Sequence, residues 1–237
     1  MVRLEMIDSS KQAEDSRSSY TQHRIRNGIR RAVKRILPQT LVQQVQQFRS
    51  YNKEERLVYL RTRLIDTVRP RRKPPGQLSG SVRSILFICF GNIMRSPMCE
   101  ALMKQALARI PNVSISVMSA GLNATPGRPA HPWAIAAAHE FGISLENHRA
   151  RPLTAEMVEQ ADLIFIMDRQ NLVQLRTRYS RVASKVMLLS AYAGDDFQQA
   201  EIQDPYYQSE QGTRQCYEIL SVCIRNLVSS LSMNSKE

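Results

Sequence analysis

Long hydrophobic runs are missing from this chain. No uninterrupted apolar stretch in its 237 residues is longer than six residues, the length of Ile85–Phe90, whereas a helix that spans a bilayer needs about 20. A transmembrane helix is therefore not expected. The opening MVRLEMIDSS has no apolar core ahead of a cleavage site, so a secretory signal is not expected either. Cysteine is scarce: there are four, at positions 89, 99, 216 and 223. That is too few for a disulfide framework at this length and points to a reducing, cytoplasmic setting, where a cysteine is buried or catalytic. Aromatic residues are 6% of the chain, with no stacking pattern or fold motif for a nucleic-acid partner. No internal repeat is present. Apolar residues at 43% and charged residues at 23% are globular values, which excludes wholesale disorder.

Basic charge is abundant and unevenly placed. Residues 1–80 hold 18 Lys and Arg against 7 Asp and Glu, and residues 81–237 hold 15 against 14. The net charge of +12 therefore belongs to the N-terminal segment, and so does any inference from it about an anionic partner. The stretch RPRRKPPGQLSG, residues 69–80, reads as a linker. Three helix-like stretches precede it: one through Ile25, Ile29, Val33, Ile36 and Leu37, one through Leu41, Val42, Val45 and Phe48, and one through Leu57, Leu60, Leu64, Ile65 and Val68. Residues 1–20 have little apolar periodicity and read as disordered. The expected division is a basic, partly helical extension over 1–80 and a catalytic domain over 81–237.

Beyond residue 81 the pattern changes. Short apolar runs predict strands over Ser84–Phe90, Val113–Ser119, Asp162–Asp168 and Lys185–Ser190. Helices are predicted over Pro97–Arg109, Pro132–Phe141, Thr154–Gln160, Arg169–Tyr179 and Gln211–Leu231. This alternation implies an α/β fold: a three-layer, doubly wound sheet of four parallel strands with helices on both faces. In such sheets ligands bind beyond the C-terminal strand ends, which directs attention to the turn after the first strand.

That turn reads C-F-G-N-I-M-R-S-P, Cys89 to Pro97. Its parts suit a phosphoryl dianion. Backbone N–H groups of a strand-to-helix loop can converge on one anion. Gly91 is expected to take a backbone geometry closed to other residues, and Pro97 fits a first helical turn. Arg95 presents a planar fork to two phosphate oxygens. The same positive field favours the thiolate of Cys89, a strong nucleophile, and Ser96 places a hydroxyl beside it. A general acid is also needed to protonate the leaving group. The candidate is Asp204 in E-I-Q-D-P-Y-Y-Q, residues 201–208, where Pro205 stiffens the loop and Tyr206 and Tyr207 are placed to wall an aromatic substrate.

Over residues 84–231 the sequence resembles the low-molecular-weight protein-tyrosine phosphatases. Five stretches stand in the family's order: I-L-F-I-C-F-G-N-I-M-R-S-P, S-A-G-L, H-R-A-R, A-D-L-I-F-I-M-D-R-Q-N-L and D-P-Y-Y. The S-A-G-L-N-A-T-P-G stretch looks most like the bacterial branch associated with capsule and exopolysaccharide tyrosine kinases. The resemblance implies hydrolysis of phosphotyrosine through a phosphocysteine on Cys89. It implies phosphate binding by Arg95 and the loop Phe90, Gly91, Asn92, Ile93, Met94 and Ser96. Asp204 would serve as acid and then base, and Ser96 would hydrogen-bond the sulfur. Asn92, Ser119 and His148 match the network that shapes the loop. Thr125, Tyr206 and Tyr207 match the substrate wall. No metal or organic cofactor is implied, since Arg95 and the amides supply the positive charge. The implied partner is a phosphotyrosine protein, such as a tyrosine kinase of polysaccharide export. The resemblance does not cover the basic arm. Its residues 21–73, cationic with apolar faces, are read on their own as suited to peripheral contact with an anionic membrane surface.

Three departures stand out. Met94 occupies the position where the family often has a second cysteine, and Cys99 reads as packing. Thr125 replaces an aromatic wall residue. His131 replaces an aspartate and is expected to cap a helix with little catalytic effect. Cys216 and Cys223 are seven apart on the last helix and read as core. Asp162 and Asp168 bracket a strand without a metal-ligand companion. A thioredoxin-coupled arsenate reductase would use the same loop but needs resolving cysteines after the third strand, where I-M-D-R-Q-N-L-V-Q-L has none. A phosphate-binding adaptor acting through its basic arm is the non-enzymatic alternative.

Overall fold

The computed structural model describes residues 48–68, 82–182, 184–194 and 201–232. The expected helix over 25–37, the second helix as far as residue 47, the tail 1–20 and the linker 69–80 lie outside them.

The first strand, β1 (Ser84–Cys89), is buried along nearly its whole length. Its side chains alternate between two separate cores. Ile85, Phe87 and Cys89 belong to one, and Leu86 and Ile88 to the other. A strand buried on both faces must be apolar at successive positions, which is why the six-residue apolar run Ile85–Phe90 is here. Three further strands, β2 (Ser116–Gly121), β3 (Leu163–Ile166) and β4 (Val186–Leu188), complete a four-stranded sheet in the order β2-β1-β3-β4. All pairs are parallel, with Ser84 opposite Ser116, Ile85 opposite Leu163 and Ile164 opposite Val186.

The helices divide between the two faces. On the Phe87 side lie α2 (Arg95–Leu107), α3 (Pro132–Glu140) and α6 (Glu210–Ser232), contributing Met98, Met103, Ala134, Ala137, Tyr217 and Leu220 to the core. On the Leu86 side lie α4 (Ala155–Gln160) and α5 (Arg169–Arg178), contributing Val158, Leu172 and Leu175. This is the doubly wound architecture expected from the alternation of periods. The connections leave β1 for opposite neighbours, so a crevice opens at the C-terminal end of β1.

A further helix, α1 (Lys53–Val68), packs on α5, and Arg176 Nη1 donates to Thr62 Oγ1 at 3.3 Å. The compact unit accordingly runs from Lys53 to Glu237, earlier than the boundary at residue 81 drawn from composition. The third helix-like stretch thus belongs with the catalytic fold. Its Leu57, Leu60 and Leu64 stay exposed.

Candidate active site

Leaving β1, the chain turns through residues 90–94 and enters α2 at Arg95. Met94, which precedes that helix, makes no side-chain cap. The N–H groups of the first turn are thereby left for the loop and for an anion. The positive-φ residue of the turn is Asn92, at 52°. The sequence argument placed that geometry at Gly91, and this is corrected: Gly91 is not a positive-φ position. A Cβ there would meet only the Ile93 side chain, at 3.5 Å. Asparagine tolerates the left-handed region, and its side chain is anchored. The glycine required by packing is Gly121, where a Cβ would stand 2.9 Å from Asn92 N and 2.8 Å from Ala124 Cβ.

Cys89 is buried and receives Asn92 N–H on its sulfur at 3.2 Å, with Ser96 Oγ at 3.1 Å. Asn92 Nδ2 donates to both Ser96 Oγ and Ser119 Oγ at 2.9 Å. Ser96 keeps its own proton, which can go to the sulfur or to Ala120 O at 3.4 Å. Asn92 Oδ1 accepts from Arg151 N at 2.9 Å, and Asn92 O lies 2.7 Å from His148 Nε2. A carbonyl only accepts, so Nε2 carries the proton. Burial holds His148 below its ordinary value, and the bond to Asn92 only partly offsets that.

Asn92, Ser119 and His148 are thus brought together, with two residues the sequence reading left without a role. Glu100 Oε2 accepts from Ser119 Oγ at 2.6 Å and from Arg151 Nη2 at 2.8 Å, and Glu100 Oε1 accepts from Lys104 at 2.6 Å. Burial opposes ionisation of Glu100, but the bonds from Lys104 and Ser119 and the charge of Arg151 outweigh it and hold the carboxyl below its usual range. The spacing of four, 92, 96 and 100, is the signal in the sequence by which Glu100 could be found.

Arg95, 1% exposed, reaches the other way. Its Nη1 donates to Asp168 Oδ2 at 2.6 Å and to Ile202 O at 2.9 Å, and its Nη2 donates to Asp204 Oδ2 at 2.5 Å. Burial works against the guanidinium charge, yet Asp168 and Asp204 more than offset it and raise Arg95 above its ordinary value. Asp168, legible in the sequence only as one of two aspartates that bracket a strand, is thus a partner of Arg95. It also caps α5, its Oδ1 accepting from Asn171 N at 2.7 Å.

Asp204 begins a short 3₁₀ turn, Pro205–Tyr207, with Oδ1 accepting from Tyr206 N at 3.2 Å. Tyr206 and Tyr207 meet edge to face at 4.9 Å, and Tyr207 is 89% exposed. Thr125 is exposed on the loop after β2, which bonds the phosphate loop through Leu122 N to Cys89 O, Asn123 N to Phe90 O and His131 N to Ile93 O. Arg128 of that loop reaches Tyr206, 5.8 Å from the ring centroid, with Nη2 donating to the hydroxyl at 3.3 Å. His131 does cap α3, its Nδ1 accepting from Trp133 N at 3.2 Å. It also joins the wall, its ring edge-on to Tyr206 at 5.5 Å.

The other cysteines have a different environment. Burial pushes Cys99 well up, and Cys216 and Cys223 to about 12. They remain thiols in the core.

The comparisons with known proteins agree with this geometry. The family model described as low molecular weight phosphotyrosine protein phosphatase matches residues 84–237. The "Probable low molecular weight protein-tyrosine-phosphatase EpsP" of Ralstonia nicotianae is 38% identical over 125 residues, 53% of this chain and 79% of that protein. A "Protein-arginine-phosphatase" of Bacillus subtilis is 34% identical over 152 residues, 64% of this chain and 99% of that protein. The crystal structure of the Erwinia amylovora tyrosine phosphatase AmsI superposes with a TM-score of 0.59 at 35% identity, covering 65% of this chain and 97% of that one. A cysteine and arginine bracketing an anion loop on this doubly wound sheet, with the family match spanning the same stretch, make this chain a member of the low-molecular-weight protein-tyrosine phosphatase family.

Proposed function

We propose that this phosphatase works through Cys89, Arg95 and Asp204 in two steps. In the first, the Cys89 thiolate attacks phosphorus in line. The P–O bond to the aryl group breaks as the S–P bond forms, and the Asp204 carboxyl gives its proton to the leaving phenolate oxygen. Arg95 and the N–H groups of the loop from Phe90 to Ser96 hold the three remaining oxygens, where charge builds in the transition state. In the second step the Asp204 carboxylate takes a proton from water as its oxygen attacks phosphorus. The S–P bond breaks, the thiolate leaves with the Ser96 hydroxyl beside it, and inorganic phosphate is released. Tyr206 and Tyr207, with Arg128, His131 and Thr125 on the facing loop, form the rim against which the substrate ring packs.

The observation that carries this reading is the chain of contacts from Cys89 Sγ through Ser96 and the loop to Arg95, whose Nη2 reaches Asp204 at 2.5 Å. The test is hydrolysis of 4-nitrophenyl phosphate, a phosphotyrosine peptide and a phosphoarginine peptide, with and without chelator. Wild type is expected to cleave the first two, undiminished by chelator, and to be inhibited by vanadate. Cys89→Ser is expected to be inactive. Activity that survives Cys89→Ser would overturn the mechanism, and preference for phosphoarginine would overturn the substrate.

For partners, the proposal is a phosphotyrosine protein, with a membrane-bound tyrosine kinase of polysaccharide export as the specific substrate. The basic segment 21–73 would then hold the enzyme at the inner membrane surface. In support, α1 exposes Leu57, Leu60 and Leu64 beside Arg56, Arg61 and Arg63, which are also exposed. Apolar and cationic residues together suit an anionic interface, at about 1 kcal/mol per Lys or Arg near the surface. No described helix is long and apolar enough to cross a membrane. Co-sedimentation with anionic vesicles at low salt, abolished at high salt, is expected. Equal failure to bind at low salt by the full chain and by a chain starting at Ser81 would remove the membrane role.

A further inference from the structure

The acid Asp204 stands at the end of a short strap, residues 201–204, laid across the C-terminal end of β3. Two contacts in the middle of the strap involve its backbone: Ile202 N donates to Met167 O at 2.9 Å, and Ile202 O accepts from Arg95 Nη1 at 2.9 Å. At its start stands Glu201, a carboxylate outside the phosphate loop and unused by the mechanism. Glu201 Oε1 accepts from Arg169 Nε at 2.7 Å, and Oε2 accepts from the backbone N–H of Arg169 at 3.2 Å. Arg169 opens α5, and the residue before it is Asp168, the other partner of Arg95.

We propose that Glu201 is a positioning residue for the acid: by gripping the first turn of α5 it fixes where the strap delivers the Asp204 carboxyl. This rests on the reading of Asp204 as the acid. The geometry favours a fixed anchor over an incidental surface pair. Both side chains are about four-fifths buried, at 22% and 21% exposure. The carboxylate accepts from two different donors of one residue, which sets its direction as well as its distance. It also sits at the N-terminal end of a ten-residue helix, where negative charge is favoured. Burial, with the charge of Asp168, holds the carboxyl above its usual range, and the bonds from Arg169 only partly offset it. Only Ile202 and Gln203 separate Glu201 from Asp204. Beyond Asp204, Pro205 fixes the chain in its 3₁₀ turn. The carboxyl of Asp204 is therefore located by one anchor on each side. Loosening the first anchor by an ångström is enough to cost up to about 10²-fold where proton transfer needs close alignment.

The experiment compares Glu201→Gln, Arg169→Gln and Asp204→Asn with wild type, using kcat/KM for aryl phosphates from 4-nitrophenyl, a good leaving group, to phenyl, a poor one. Arg169→Gln removes the same anchor from the opposite partner and serves if Glu201→Gln does not fold. Both are expected to lose about tenfold on phenyl phosphate and far less on 4-nitrophenyl phosphate, a steeper dependence on leaving group. Inhibition by inorganic phosphate should stay near the wild-type level, because the phosphate loop is untouched. Glu201→Asp, which keeps the charge, should recover part of the loss. A wild-type slope in Glu201→Gln and Arg169→Gln, whether their activity is intact or lowered equally on every substrate, overturns the role of Glu201. It leaves the acid assignment standing if Asp204→Asn is steep. A wild-type slope in Asp204→Asn overturns the acid assignment, and with it the role given to Glu201.

Discussion

The phosphate loop has two sides, and they are held by different chemistry. On the Asn92 side, one buried amide side chain bonds Ser96, Ser119 and the backbone of Arg151, and His148 bonds its carbonyl. Neutral groups dominate there, and the one carboxylate, Glu100, stands a step back behind Ser119. On the Arg95 side the contacts are ionic, with Asp168 and Asp204 bonded directly to the guanidinium. The first side fixes the shape of the loop. On the mechanism proposed above, the second carries charge that is shared with the substrate and a proton that is moved. The contrast teaches that preorganisation and reactivity are separated in space, so substitutions on the two sides should fail in different ways.

The sharpest test of that separation is Asp204→Asn. It is expected to lower turnover of poor leaving groups by about 10²–10⁴-fold while the melting temperature hardly moves, measured by a leaving-group series beside thermal unfolding. Asn92→Ala should do the reverse in emphasis. It removes a fully buried side chain and leaves Ser96, Ser119 and Arg151 N without their partner, a loss of about 2–4 kcal/mol in denaturant unfolding. Equal melting temperatures for these two variants would break the comparison.

Glu100→Gln keeps volume but loses charge, and about 1–2 kcal/mol is expected. Because Glu100 is held below its ordinary value of 4.5, its contribution is fully present above that pH and is lost as pH falls through the lower folded value. The gap between wild type and Glu100→Gln should therefore be constant above pH 4.5 and close below it. The smallest effect is expected at His148. Its folded value lies below 6.5, so its stabilising contribution is complete above 6.5 and fades as pH drops through the folded value. His148→Gln should lose stability less steeply than wild type as pH is lowered through that window. A steeper loss would contradict the buried, neutral ring.

Much of this was legible in the sequence because the signals were local. The Ile85–Phe90 run followed by a cysteine and an arginine six positions on specified strand, loop and helix together. The start of β2 was read three residues early because Val113 and Ile115 are apolar. Pairing begins only at Ser116, opposite Ser84, where the central strand itself starts. Asp168 was invisible because its partner lies 73 residues away, and nothing in its neighbourhood announces a guanidinium. Gly121 and Asn92 show the same limit. Which residue must be small, and which must turn left-handed, is decided where two chain segments meet. Arg128 was missed because the aromatic position expected on the wall drew attention to Thr125, while the longer side chain three residues on makes the contact with Tyr206.

The pairing of Arg95 has a consequence for turnover. Its guanidinium bonds two carboxylates and a carbonyl, so on the mechanism proposed above a dianion would exchange partners with it instead of meeting a bare cation. The affinity for phosphate is then a difference between two sets of charge-assisted bonds, each with its own desolvation cost. On that mechanism the difference should be small for the product and grow as charge accumulates on the equatorial oxygens of the transition state. An arginine occupied in this way should, on the same mechanism, let inorganic phosphate leave readily and keep product inhibition weak.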